Sequence, residues 1–468
     1  MKLKKNILTT LAYLYLLLPL CIFLLGWVKS WISIPIILLA CYCFYGSISN
    51  FPKIQINVFA TPKKSFVILI IICTWVLLSG IGGFVWQNWD HIWRNAVFRD
   101  LYNYSFPVID YIGSNPVNLC YYFGFWLPAA LVAKVFGNIT VGWIFLYIWS
   151  CAGVILAFLL ISEWIKKLSY KTLLILILFS GIDIVFHLST FFHRPYSHIE
   201  LNYGFQCSSN TTLLFWVFNQ TIPFWVGMML LLLQTGKKYL LFTFSLLLIY
   251  STFPTIALVP AIIYLELKES PSFGIKQFVY QHFTLQNICG VILLLIVALF
   301  YKTNLSSNKV ELIDFPSSKK WIQFVLYFIS QYFVYLIFVY KEAKRNWLFI
   351  ILFSTMFVCT FFRFGFSTDF QMRTCIPAAF YLMLLIMKNV VNHFDIKRFR
   401  YKLLLAVFLL GSATPFSEML RTIKYTTECV INHKSIQNNE LESVFIPNDA
   451  YSNFIGSENS FFNKYIRK

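Results

Sequence analysis

Polar residues along this chain come in short pulses between long apolar stretches. The apolar stretches predict helices over 7–28, 31–48, 66–85, 141–163, 172–190, 211–233, 239–251, 254–267, 286–302, 320–340, 347–362, 374–388 and 402–420. Most are about twenty residues long, enough to cross about 30 Å of hydrocarbon. The pair 239–251 and 254–267 is short for two spans, and Pro254 marks either a tight outer turn or a kink. Short alternating segments, the signature of a β-barrel, are absent from the pattern. The prediction is an all-α polytopic transmembrane bundle of about 12–14 helices, with a large first extracytoplasmic loop at 86–118.

The polar links orient the bundle. A Lys-rich N-terminus placed in the cytoplasm puts Lys53, Lys63, Lys64, Lys166, Lys167, Lys171, the Lys237–Lys238 pair, KEAKR at 341–345 and KRFRYK at 397–402 on the same side. That bias predicts a multi-pass cell-membrane protein with an extracytoplasmic C-terminal tail. It holds only if the apolar segment 119–136 makes no net crossing; Pro128, two glycines and many aromatics suit a re-entrant or interfacial piece. The N-terminal MKLKKNILTTLAYLYLLLPL lacks a small-residue cleavage site, so it reads as an uncleaved first helix. Three regions follow: 1–65, two helices and a cytoplasmic loop; 66–420, the main transmembrane domain; 421–468, a polar tail whose apolar positions could lie on the membrane surface.

Composition narrows the function classes. The chain is 59% hydrophobic and 12% charged, far from a soluble domain. Its net charge of +19 sits in the short links and builds no nucleic-acid arm. Eleven cysteines include no CxxC pair and lie mostly in apolar runs, where cysteine acts as a small hydrophobe. No metal or cofactor is expected.

Three constellations could carry chemistry. WQNWDHIWRNAVFRDL, 86–101, follows an apolar helix at the outer surface. Trp86, Trp89 and Trp93 read as interfacial anchors. On a helix Asp90 and Arg94 share a face, and His91 meets Arg94; Arg99 follows. The arrangement is either an ion-pair network or a general base beside phosphate-binding cations. In FRFGFSTDFQMRTCIPA, 363–379, Ser367, Thr368 and Asp369 could cap a helix whose N-terminus favours an anion, flanked by Arg363 and Arg373. The alternative is an Asp369–Arg373 ion pair. In GIDIVFHLSTFFHRPYSHIE, Asp183 and His187 are spaced to hydrogen-bond on one helix or to line a cavity, with Arg194 beyond. His193, His198 and Glu200 are too spread to argue for a metal.

A membrane helix followed by a large outer loop that opens with an acidic residue resembles the GT-C-type glycosyltransferases. WDHIWRNAVFRDL, YYFGFWLPAALVAKVFG and TDFQMRTCIPA also look like segments of an uncharacterised group of bacterial membrane proteins. The GT-C resemblance implies a polyprenyl-phosphate-linked sugar donor, with Asp90 as the base that takes the acceptor hydroxyl's proton. The chain has Asp90-His91 where protein O-mannosyltransferases carry Asp-Glu, and nothing like the WWDYG motif of oligosaccharyltransferases. The implied acceptor is therefore an extracytoplasmic glycan or lipid. His91, Arg94, Arg99, Asp183, His187, Arg194, Arg363, Asp369 and Arg373 are the candidate substrate-binding residues. The alternatives are a surface-polysaccharide polymerase or ligase, and a lipid-linked glycan flippase or transporter.

Overall fold

The structure is a computed structural model that describes residues 7–54, 61–234, 238–268, 282–306, 310–315, 317–365, 368–447 and 451–468. The chain is an all-α polytopic bundle with little sheet. Among the described residues seven helical stretches are long and apolar enough to cross a membrane: Ile7–Trp27, Ser30–Ser49, Ile139–Ile165, Asn210–Leu233, Ser318–Ala343, Ile376–His393 and Phe399–Ile431.

In chain order the first helices are α1 (Ile7–Trp27), α2 (Ser30–Ser49), α3 (Pro62–Leu78), α4 (His91–Asn103), α5 (Leu127–Phe136), α6 (Ile139–Ile165), α7 (Tyr170–Leu178), α8 (Leu188–His193) and α9 (Asn210–Leu233). Then come α10 (Leu240–Ser245), α11 (Thr252–Leu267), α12 (Leu285–Tyr301), α13 (Ser318–Phe328), α14 (Val334–Ala343), α15 (Trp347–Cys359), α16 (Asp369–Thr374), α17 (Ile376–His393), α18 (Phe399–Gly411) and α19 (Ala413–Ile431). A π-turn at Ile329–Phe333 joins α13 to α14.

The segment after α3 returns to the side it left. Lys64, at the start of α3, donates to Leu168 O beyond the end of α6 at 2.6 Å, and Tyr147 on α6 donates to Cys73 O on α3 at 3.0 Å. The two helices are therefore antiparallel neighbours, and everything between them, including 119–136, makes no net crossing. That segment is a 3-10 turn (Phe123–Trp126) followed by the ten residues of α5, about 15 Å of helix. Gly137, at φ +60, reverses the chain, and Asn138 caps α6 by accepting from Thr140 N. A Cβ on Gly142 would sit 2.7 Å from Ala133 Cβ, so glycine lets α5 and α6 touch.

Several helices depart from the expected spans. The run 172–190 is not one helix. It ends at Leu178 and resumes as a 3-10 turn at Asp183–Phe186 and then α8. Asp183 and His187 therefore do not share a helical face. The first leg ends at Ser245 and α11 starts at Thr252, so the break lies at 246–251, ahead of Pro254, and 239–267 is two legs rather than one kinked helix. The final helix runs past 420 to Ile431, since Glu418 and Arg421 are both paired inside the bundle. α9 is kinked at Val217 (φ −134, ψ 38), where Thr221 Oγ1 donates to Leu213 O at 3.2 Å and Val217 O at 3.0 Å. Freed carbonyls at membrane depth need such partners.

The two ends of the bundle differ. One gathers cations: Lys64 over Tyr170, Lys171 over Phe394, Lys388 over Trp164, and Arg400 donating to Phe338 O. The other end gathers the loops. There β1 (Ile109–Ile112) pairs with β2 (Asn115–Leu119), and β2 pairs with β7 (Ile455–Ser457) from the tail. Two further two-stranded pieces lie in the loops: β3 (Leu201–Asn202) with β4 (Phe205–Gln206), and β5 (Glu311–Leu312) with β6 (Phe362–Arg363). The tail is docked into the bundle: Phe454, Ile455 and Phe462 are buried, while Phe461 and Tyr465 stay exposed.

Candidate functional site

The site begins where α3 stops. Gly80, Gly82 and Gly83 adopt left-handed φ and turn the chain back over the bundle. Gln87 Nε2 donates to Gly80 O at 2.8 Å, and Asn88 Nδ2 donates to Phe215 O at 2.9 Å, beside the α9 kink. These bonds fix the start of α4. Asp90 is its N-cap residue.

One helical turn later Arg94 donates from Nη2 to Asp90 Oδ2 at 2.8 Å. Arg94 is only 3% exposed, with its guanidinium carbon 5.7 Å from the Phe218 ring centre. Its Nε and Nη1 have no partner among the described residues. His91 is buried beneath, its Nε2 donating to Ser79 O at 3.1 Å and its ring stacked on Phe218. Burial first, then the Arg94 charge, pushes His91 down to about 3. A neutral, buried His91 positions α4 and adds no charge for a ligand, contrary to its expected binding role.

The same device recurs on α16. Arg373 Nη1 lies 3.1 Å from Asp369 Oδ2, one turn apart. Arg373 is 7% exposed, stands 5.8 Å from the Phe253 ring centre, and has an Nε without a partner among the described residues. The carboxylates lie nearer the surface: the side chains of Asp90 and Asp369 are 25% and 41% exposed. Both carboxylates rim a buried arginine.

The two pairs lie near each other: Asp369 is within electrostatic reach of Asp90 and Arg94 as well as its own Arg373. Tyr121 feels all four groups, and Tyr122 feels Arg373 and Asp369. Tyr121 is thus near both Asp-Arg pairs, and Tyr122 is near the second. Phe454 of the tail roofs this side, stacked on Trp93 (5.3 Å, 11°) and against Tyr121 (4.6 Å). Of the three expected anchors only Trp89 is exposed; Trp86 packs against Tyr425 with the rings tilted by 37°.

Other predicted residues lie elsewhere. Arg99 clamps the tail, donating to Leu441 O, to Glu442 O at 3.1 Å and to Asn439 Oδ1 at 2.8 Å. Arg363 is exposed, on β6 opposite Glu311, and Arg194 is exposed in its loop. The capped anion site at 367–369 does not form as expected. Ser367 lies outside the described residues, Thr368 Oγ1 donates to Gln206 Oε1 at 2.5 Å, and α16 is a six-residue helix. Asp183 and His187 are joined through Asn202, whose Nδ2 donates to Asp183 Oδ1 at 2.6 Å while its Oδ1 bonds His187 Nε2 at 2.9 Å. Asp183 also accepts from Thr414 (2.9 Å), Ser180 (3.3 Å) and Gln331, so it ties four segments together.

The chain also builds a cluster that the spacing of residues did not announce. Glu418 accepts from His198 Nδ1 (2.9 Å), Trp216 Nε1 (2.8 Å) and Arg421. The available signal was an acid three residues before an arginine at the end of an apolar run. Among the described residues no group of three or more His, Cys, Asp or Glu could hold a metal ion.

No protein-family model, curated protein or solved structure matches this chain.

Proposed function

We propose that the chain is a membrane glycosyltransferase that moves a sugar from a polyprenyl-phosphate donor to an extracytoplasmic glycan or lipid. One observation carries the reading: Arg94 and Arg373 are buried, each holds at least one N–H group with no partner among the described residues, and both lie within electrostatic reach of Tyr121. Buried guanidinium donors left unmet are costly, and a phosphate supplies the acceptors. The donor phosphate would receive the free N–H groups as it becomes the leaving group. Arg94 holds Asp90 Oδ2, which directs Oδ1 to the acceptor hydroxyl. Asp90 takes that proton as the glycosidic bond forms, and the phosphate departs with the electron pair of the broken bond.

The GT-C-like arrangement and the extracytoplasmic placement of the loop end belong to the same proposal. The clustering of cations at the opposite end supports the placement. A membrane-impermeant maleimide applied to intact cells should label Tyr111→Cys, an exposed position on β1. In proteoliposomes the protein should release polyprenyl phosphate from a polyprenyl-phosphate-linked sugar. Protection of Tyr111→Cys sinks the placement, and absence of release sinks the transferase.

The broken run at 170–193 and the kinked α9 favour a second reading, a lipid-linked glycan transporter, because discontinuous helices build such sites. A transporter would move labelled lipid across the bilayer without releasing its phosphate.

A further inference from the structure

The loop between α8 and α9 meets α16 and α17 through two thiols. Cys207 Sγ lies 3.4 Å from Cys375 Sγ, although the residues are 168 positions apart. Both are buried. Cys207 follows β4, where Gln206 accepts from Thr368, and it lines a small cavity with Ser180, Gly181 and Gln331. Cys375 sits two residues after Arg373, at the junction of α16 and α17. Two other thiol neighbours, Cys43 with Cys289 and Cys73 with Cys151, are on helices within the bundle. The 207–375 pair differs from them in two ways: one partner comes from a loop, and the pair lies next to the candidate site.

We propose that Cys207 and Cys375 are a disulfide-forming pair that fixes the 194–209 loop to the helix carrying Arg373. This rests on the extracytoplasmic placement of the loop end proposed above, since disulfides persist in oxidising compartments. The sulfurs need to approach by only about 1.4 Å to reach a bonded separation. The co-reactant is an external disulfide. One thiolate attacks it and forms a mixed disulfide; the second thiolate displaces the remaining external thiol. Two S–H bonds and the external S–S bond are lost, one S–S bond forms within the chain, and two external thiols are released. The neighbouring Cys375 thiol, then burial, push the Cys207 thiol well up, so exchange waits on opening of the loop.

The link has a consequence for the site. α16 is short, and the described bonds from the loop to it include Gln206–Thr368. A covalent tie two residues from Arg373 adds an anchor that does not depend on that hydrogen bond. Reduction releases the loop while leaving the Asp369–Arg373 pair intact.

The test starts from protein extracted under a thiol-alkylating reagent with no reductant, then digested and weighed. Expected is a Cys207–Cys375 peptide pair lacking two hydrogens, resolved into separate peptides by dithiothreitol. Cys43, Cys289, Cys73 and Cys151 should be alkylated. Cys375→Ser, exposed to glutathione disulfide, should carry a glutathione adduct on Cys207. Free, alkylated Cys207 and Cys375 in cells where Tyr111→Cys is labelled from outside would overturn the pair while sparing the placement. If Tyr111→Cys is protected, the placement fails. The pair is then judged on purified protein held with glutathione disulfide for hours, where absence of the linked peptide overturns it.

Discussion

Arg94 donates to Asp90 across a single turn of α4, at 2.8 Å, with the acid near the surface and the base beneath it. Arg373 and Asp369 repeat the relationship on α16 at 3.1 Å. In each pair the arginine keeps at least one N–H group that no described neighbour uses. A surface ion pair would not need its cation buried, and such pairs contribute little when exposed. Burying the cation while leaving donors open suits a site completed by an anion.

Replacing Asp90 by Asn separates charge from shape. Asparagine keeps an oxygen for Arg94, so the start of α4 should persist. The basic carboxylate is lost. Transfer from a polyprenyl-phosphate sugar should fall by roughly 10²–10⁴-fold, the range of general-base contributions. The melting midpoint in detergent should move little. Wild-type turnover by well-folded Asp90→Asn protein would reject Asp90 as the base.

Asp100 gives the tail a pH dependence. It is 1% exposed, and its Oδ2 accepts from Val444 N at 2.9 Å. Burial pushes its carboxyl up to about 7; the Val444 bond, Ser443 and Arg99 oppose this, and Asp110 adds to it. The folded value lies above the unfolded one, so the contribution of the protonated acid is complete at low pH. It is lost as pH rises towards and through about 7. The protection factor of the Val444 amide, its exchange rate corrected for the intrinsic rise with pH, should therefore fall between about pH 5 and pH 8. In Asp100→Asn that fall should vanish. A pH-independent Val444 protection factor in the wild-type protein counts against the buried acid.

Asp183 should behave as a structural residue. Its carboxylate accepts from Ser180, Asn202, Gln331 and Thr414. Asp183→Leu strands those neutral donors and should cost on the order of 1–3 kcal/mol for each donor left without an acceptor. His187→Gln touches one bond to Asn202 and should cost about 1 kcal/mol. Thermal unfolding in detergent compares the two. A wild-type midpoint in Asp183→Leu, with loss of transfer alone, would move Asp183 into the substrate site.

The bundle was legible because hydrophobic length reports membrane helices directly. The Asp90–Arg94 and Asp369–Arg373 pairs were legible because their spacing is local to one helical turn. The break after Leu178 was not, since a run such as LLILILFSGIDIVF stays apolar whether helical or not, and the partners of Asp183 come from Asn202, Gln331 and Thr414. His91 looked like a ligand because composition cannot show that Phe218 and Ser79 O enclose it. Arg99 read as a substrate-binding residue because the chain segment that occupies it lies 340 or more residues away. Glu418 escaped for the same reason: Trp216 and His198 reach it from distant sequence.

The Asp369–Arg373 pair separates a phosphate site from an ion pair that only holds the fold. Arginine can grip two phosphate oxygens in a fork, whereas lysine offers a point charge. Arg373→Lys should weaken binding of a polyprenyl-phosphate donor by about 1–3 kcal/mol, the scale of a hydrogen bond to a charged group, and Arg373→Ala should weaken it further. Reversing both charges, in Asp369→Arg with Arg373→Asp, keeps an ion pair at the same spacing. It moves the cation to the rim and puts a carboxylate over Phe253, where the guanidinium now stands. If the pair serves only the fold, the double variant should bind donor as the wild type does. If Arg373 meets phosphate, the buried carboxylate repels the ligand and binding should be lost while the melting midpoint recovers relative to Arg373→Asp alone. Donor-binding isotherms on the two single variants and the double variant decide it. Recovered binding in the double variant removes the phosphate from this site, and with it the chemical basis for a lipid-phosphate-dependent transferase.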